Sequence, residues 1–100
     1  MSLKVVEIEG VVTVIPSCEI RDDEAIRLEE AAMEFIEKGR YRFLVDLSNV
    51  KYLDSAGLGV LIKIRKKVQS QGGDIAIRGL NGIVKELFEM TSLDQLFTIV

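Results

Sequence analysis

Histidine is absent from this sequence, and cysteine occurs once, at Cys18. A lone thiol closes no internal disulfide, which fits a reducing compartment. Without His or a second Cys, zinc and iron–sulfur sites lose almost all of their usual ligands. Ser-His-Asp and Cys-His nucleophilic catalysis fall with the same absence. No apolar run approaches the roughly 20 residues that span a bilayer, and Met1-Ser2-Leu3-Lys4 lacks the features of a secretory signal. A cytoplasmic protein with no membrane insertion is expected. Positive charge is not in excess either. The formal net charge is −3, so nothing here predicts a nucleic-acid partner. Neither a Gly-Lys-Ser/Thr phosphate loop nor a dinucleotide fingerprint is present. Asp46 is a lone carboxylate at a strand end. The expectation is a non-enzyme with no cofactor and no metal.

What is present suits one compact core. Hydrophobic residues make up 48% of the 100 positions, and the length fits a single domain over residues 1–100. Val5-Val6-Glu7-Ile8 and Val11-Val12-Thr13-Val14-Ile15 read as two strands, with Glu9-Gly10 as a hairpin turn between them. Pro16 ends the second strand and Ser17 to Arg21 forms a loop. Asp22 or Asp23 is placed to cap a helix whose apolar face is Ala25, Leu28, Ala32, Phe35 and Ile36. Lys38-Gly39 closes it. Arg42 to Leu47 is nearly continuous in apolar character, the pattern of a central strand buried on both faces. A second helix starts at Ser55, with Gly57, Leu61, Ile64 and Val68 on one face and Lys63, Arg65, Lys66 and Lys67 on its solvated side. After it come the strand Ile75-Ala76-Ile77, a short helix capped by Asn81 and a final strand over Phe97 to Val100. Strands alternating with helices predict an α/β fold with a mixed, mostly parallel sheet, an N-terminal antiparallel hairpin and about four helices. The last strand is expected to be partly exposed, which leaves a monomer or a weak dimer open.

The stretch Tyr52-Leu53-Asp54-Ser55-Ala56-Gly57-Leu58-Gly59-Val60-Leu61 joins the loop after the central strand to that second helix. A helix start carries unpaired N–H groups and partial positive charge, so Ser55 can bear a phosphoryl group without disrupting the fold. Gly57 and Gly59 leave room for a partner's close approach, with Leu58 as an apolar anchor; alternatively the glycines serve tight helix–sheet packing. On physics alone, Ser55 is a phosphate-tolerant helix start.

Asp54-Ser55-Ala56-Gly57-Leu58-Gly59-Val60-Leu61 resembles the signature of the STAS family, which includes bacterial anti-sigma factor antagonists. Phe43 to Leu47 with Val50 and Leu53 resembles the strand and loop that lead into that signature. Gly72-Gly73-Asp74 with Ile75 and Ile77 resembles the family's next turn and strand. Val84-Lys85, Leu87-Phe88, Met90 and Leu93 resemble its third helix and the exit from it. The resemblance implies a STAS-like domain that acts by partner switching. The unphosphorylated antagonist binds an anti-sigma factor, often a Ser/Thr kinase of the histidine-kinase-like ATPase fold, and frees a sigma factor. That kinase phosphorylates the signature serine, matched here by Ser55, and breaks the complex; a PP2C-type phosphatase reverses it. Partner contact is implied for Asp54, Ala56, Gly57, Leu58 and Gly59.

Many antagonists of the family carry a Gly-Glu-Leu-Asp-like stretch near the partner surface. Cys18-Glu19-Ile20-Arg21 aligns with it. Glu19 and Ile20 keep the acidic and apolar characters, Arg21 reverses the last charge, and Asp22 and Asp23 stand close enough to compensate. Those residues join the expected interface. The alternative function within the family is a STAS subunit of a transporter or stress-signalling complex.

Overall fold

Glu9 and Gly10 both hold left-handed backbone, with φ of 52° and 80°. Two consecutive positive φ values match the twist of a two-residue hairpin, which is why a glycine sits there. In the computed structural model, which describes residues 3–100, that turn joins β1 (Leu3–Ile8) to β2 (Val11–Pro16) in register from Ile8 opposite Val11 to Leu3 opposite Pro16. Strands β3 (Arg42–Asp46), β4 (Asp74–Arg78) and β5 (Thr98–Ile99) then add in parallel, giving the order β1-β2-β3-β4-β5. Helices α1 (Asp22–Glu37), α2 (Ser55–Gln69), α3 (Gly82–Met90) and the one-turn α4 (Leu93–Leu96) complete the expected α/β architecture.

Register explains which residues form the core. Val12, Phe43 and Ile75 are cross-strand partners, as are Val14, Val45 and Ile77, so both rows point to one face. They are buried with Ala25, Leu28 and Ala32 of α1, Val60, Leu61, Ile64 and Val68 of α2, and Val84 and Phe88 of α3. Phe97 closes the end of that layer, with its ring centroid 6.0 Å from that of Phe88. The alternate row, Thr13, Leu44 and Ala76, lies on the other face, where Leu44 and Ala76 keep partial exposure. Burial of β3 on both faces is therefore corrected: Phe43, Val45 and Leu47 are buried and Leu44 is not. The apolar run conceals a half-open strand because Leu44 packs beside sheet neighbours rather than under a helix.

At the C-terminal ends of β3 and β4, Asp46 accepts from the Ser48 N–H at 2.9 Å, from the Ser48 hydroxyl, and from Arg78 Nη2 at 3.0 Å. The Ser48 hydroxyl, followed by the Ser48 N–H and Arg78, holds the Asp46 carboxyl below its ordinary value against the opposing effect of burial. A depressed carboxyl stabilises the fold above its unfolded-state pKa of about 3.9, and that contribution is lost as pH falls through the folded value. Asp46→Asn should therefore be less stable than wild type at pH 7, with the gap closing in acid. Urea melts at pH 7 and near pH 3 measure it; a gap that stays constant with pH would refute the assignment.

Candidate functional site

The loops after β2 and β3 are tied together by one short parallel bridge between Ile20 and Leu53. The Ile20 N–H donates to the Tyr52 carbonyl at 3.0 Å, and the Asp54 N–H donates to the Ile20 carbonyl at 3.1 Å. Each helix then begins two residues beyond its half of the bridge, α1 at Asp22 and α2 at Ser55. Their N-termini consequently lie side by side, at the end of the sheet where the strands terminate.

Asp54 is the N-cap of α2. Its carboxylate accepts from the Gly57 N–H at 3.0 Å and its carbonyl from the Leu58 N–H at 3.0 Å. That geometry satisfies donors a helix start otherwise leaves open. Ser55 is the first helical residue and is exposed, while Ala56 and Leu58 are half-buried against the core. Gly59 is exposed, with open space where a Cβ would stand. Gly57 differs from the expectation of partner access: it is buried, and a Cβ there would overlap Leu53 Cδ1 and come within 3.0 Å of Ile20 Cγ2. Ile20, expected at the interface, is likewise interior at 1% exposure. Both residues support the site from within, because the bridge turns Ile20 and Leu53 inward.

The side chains alternate with these and turn outward. Glu19 and Arg21 flank Ile20, and Tyr52 and Asp54 flank Leu53. Arg21 Nε donates to Glu19 at 2.9 Å, and its guanidinium lies 4.5 Å from the centroid of the Tyr52 ring. The hydrogen bond to Glu19, and then the charge of Glu19, hold the Arg21 guanidinium above its ordinary value. Neither Asp22 nor Asp23 is the cap of α1. Arg21 holds that position in extended backbone, its N–H donating to Glu24 at 3.1 Å, and the two aspartates stand exposed in the first turn. The helix begins where it does because the bridge keeps Ile20 and Arg21 extended. In that first turn Asp22, Asp23 and Glu24 complement the helix dipole. Cys18, Glu19, Arg21 and Glu24 line a shallow cleft beside them.

The structure thus brings Glu19, Asp22 and Asp23 to the same end of the molecule as Asp54, Ser55, Ala56, Leu58 and Gly59. Tyr52 as the ring beneath Arg21 has no signal in the sequence. Its contact is made across two loops, and no local pattern announces it. Among the described residues, no group of three His, Cys, Asp or Glu is placed to hold a metal ion. No described helix is long and apolar enough to cross a membrane.

Known proteins resemble this chain in sequence and in fold. A Thermotoga neapolitana protein named for anti-sigma factor antagonism is 34% identical over 92% of this chain and 82% of its own length. The Staphylococcus aureus anti-sigma-B factor antagonist is 32% identical over 72% of this chain and 67% of its own. The crystal structure of a Thermotoga maritima protein, also named for anti-sigma factor antagonism, superposes with a TM-score of 0.91 at 30% identity. That superposition covers 97% of this chain and 84% of the other. The sequence profile of the STAS domain matches residues 2–100. With the signature at the start of α2 and the sheet order around it, this chain belongs to the STAS domain family.

Proposed function

We propose that this chain is an anti-sigma factor antagonist, a single cytoplasmic STAS domain over residues 1–100 that works by binding rather than by catalysis. In its unphosphorylated form it binds an anti-sigma factor that is also a Ser/Thr kinase of the histidine-kinase-like ATPase fold. A sigma factor is thereby freed. The kinase then transfers the γ-phosphoryl of ATP to Ser55: the bond from phosphorus to the ADP oxygen breaks, a bond to Ser55 Oγ forms, and the hydroxyl proton passes to a base of the kinase. The complex dissociates, and a PP2C-type phosphatase returns Ser55 to its free state.

One observation carries this reading. Ser55 is exposed at the first position of α2, beside a cap and a second helix start that frame a single surface. The relatives' names support the partner class. Contact is assigned to Asp54, Ala56, Leu58 and Gly59, with Glu19, Asp22 and Asp23 from the neighbouring loop and helix start.

The test is to incubate the protein with the anti-sigma kinases of its own organism and ATP, and to map any incorporated phosphate by mass spectrometry. Stoichiometric modification at Ser55, absent in Ser55→Ala, is the expected result. Stable binding to a permease or a stress-signalling assembly, with no modification of Ser55 by any of the kinases, would refute the antagonist assignment.

A further inference from the structure

Arg21 stands out on the shared surface because it is a cation among acids. The bridge places it outward with Glu19, Tyr52 and Asp54, and Ser55 directly follows Asp54. Its Nε is engaged by Glu19, while Tyr52 supports the flat face of the guanidinium. A guanidinium has five donors in a planar fork, so this arrangement leaves its Nη edges available. The side chain is 56% exposed, so the fork can be redirected without unpacking the core.

We propose that Arg21 is the intramolecular anchor of a phosphoryl group on Ser55, drawn from Glu19 to the phosphate while Tyr52 keeps it stacked. This rests on the reading of Ser55 as the phosphoacceptor. Phosphate outcompetes a carboxylate for the fork because it brings roughly −1.5 to −2 charge and three acceptor oxygens. Asp54 cannot help: its carboxylate is committed to the Gly57 N–H and repels the new anion. The exchange also releases Glu19. One modification therefore changes the charge presented by both loops, the one bearing Ser55 and the one bearing Glu19.

Phosphoserine introduced at position 55 during translation allows a test without any kinase. The second ionisation of the phosphate is followed by ³¹P NMR titration of the full chain. The titratable and charged groups on the shared surface are Glu19, Arg21, Asp22, Asp23 and Glu24 from one side and Tyr52 and Asp54 from the other. A nearby cation favours the dianion, so wild type should ionise about 0.5 pH unit below Arg21→Ala, with Arg21→Lys between them. Arg40→Ala is the control for net charge. Arg40 pairs with Glu7 and lies beside Gly10, Gly39 and Gly72 at the opposite end of the sheet. A phosphate that titrates alike in wild type and Arg21→Ala, or that shifts equally in Arg21→Ala and Arg40→Ala, overturns the anchor. The kinase assay on Ser55 is read separately: a flat titration overturns the anchor and leaves the phosphoacceptor reading intact, whereas absence of Ser55 modification removes the anchor's basis whatever the titration shows.

Discussion

Ser55→Asp should weaken binding to the anti-sigma factor on the order of 100-fold while the melting temperature stays nearly unchanged. The separation of the two effects comes from where Ser55 lies. It is exposed at the first position of α2, outside the buried cluster. A carboxylate there gains from the helix dipole and loses to repulsion by Asp54, so the net change in stability should stay within about 0.5 kcal/mol. In a complex, the same charge is removed from water beside Asp54 and near Glu19, Asp22 and Asp23. Misplaced like charges in an interface cost on the order of several kcal/mol, and each ~1.4 kcal/mol is tenfold in affinity. Calorimetric titration of wild type, Ser55→Ala and Ser55→Asp, with a thermal melt of each, measures both quantities. Ser55→Ala should bind like wild type. An aspartate variant that binds equally well would remove Ser55 from the interface.

Gly57→Ala and Gly59→Ala should change stability in opposite directions, although both sit in the first turns of one helix. Alanine in an open helical position is favoured over glycine by about 0.8–1.0 kcal/mol. Gly59 meets that condition, since nothing lies where its Cβ would go. Gly57 does not: its Cβ would overlap Leu53 and press on Ile20, the two residues of the bridge. Overpacking of this kind typically costs about 1–3 kcal/mol, so a net loss of up to about 2 kcal/mol remains after the gain in propensity. For a domain of this size that lowers the melting temperature by up to about 16 °C. Denaturant unfolding of the two variants distinguishes the cases. A stable Gly57→Ala would mean that the bridge gives way easily and does not hold the two helix starts together. Because the bridge carries the site, Gly57→Ala should also weaken partner binding, although it leaves every exposed charge in place.

The start of α2 was legible because Asp54-Ser55 precedes a run with helical spacing, and the structure begins the helix at Ser55 with Asp54 as its cap. The hairpin was legible from Glu9-Gly10 for a similarly local reason. Asp22 and Asp23 misled: their capping preference is real, yet the pairing of Ile20 with Leu53 holds Arg21 extended and gives the cap position to it. Arg42 to Leu47 misled for another reason, since a continuous apolar run does not tell a strand covered twice from one with Leu44 half-open. The final strand is shorter than its apolar run, at Thr98–Ile99, because Leu93–Leu96 turns once beforehand and Phe97 points into the core.

From the sequence alone came the element types, their order, the buried face of each helix and the signature that carries Ser55. The elements and their faces depend on periodicity and on turn chemistry, which act over a few residues, and the signature on its resemblance to the STAS family. Only the tertiary structure decided that Ile20 meets Leu53, that Gly57 closes against them, and that Arg21 rests on Tyr52 with Glu19 beside it. A pattern states that a face is to be buried but not what will bury it. The partners are chosen when distant segments compete for the same space, and here that choice sets two helix starts and their charges on one surface.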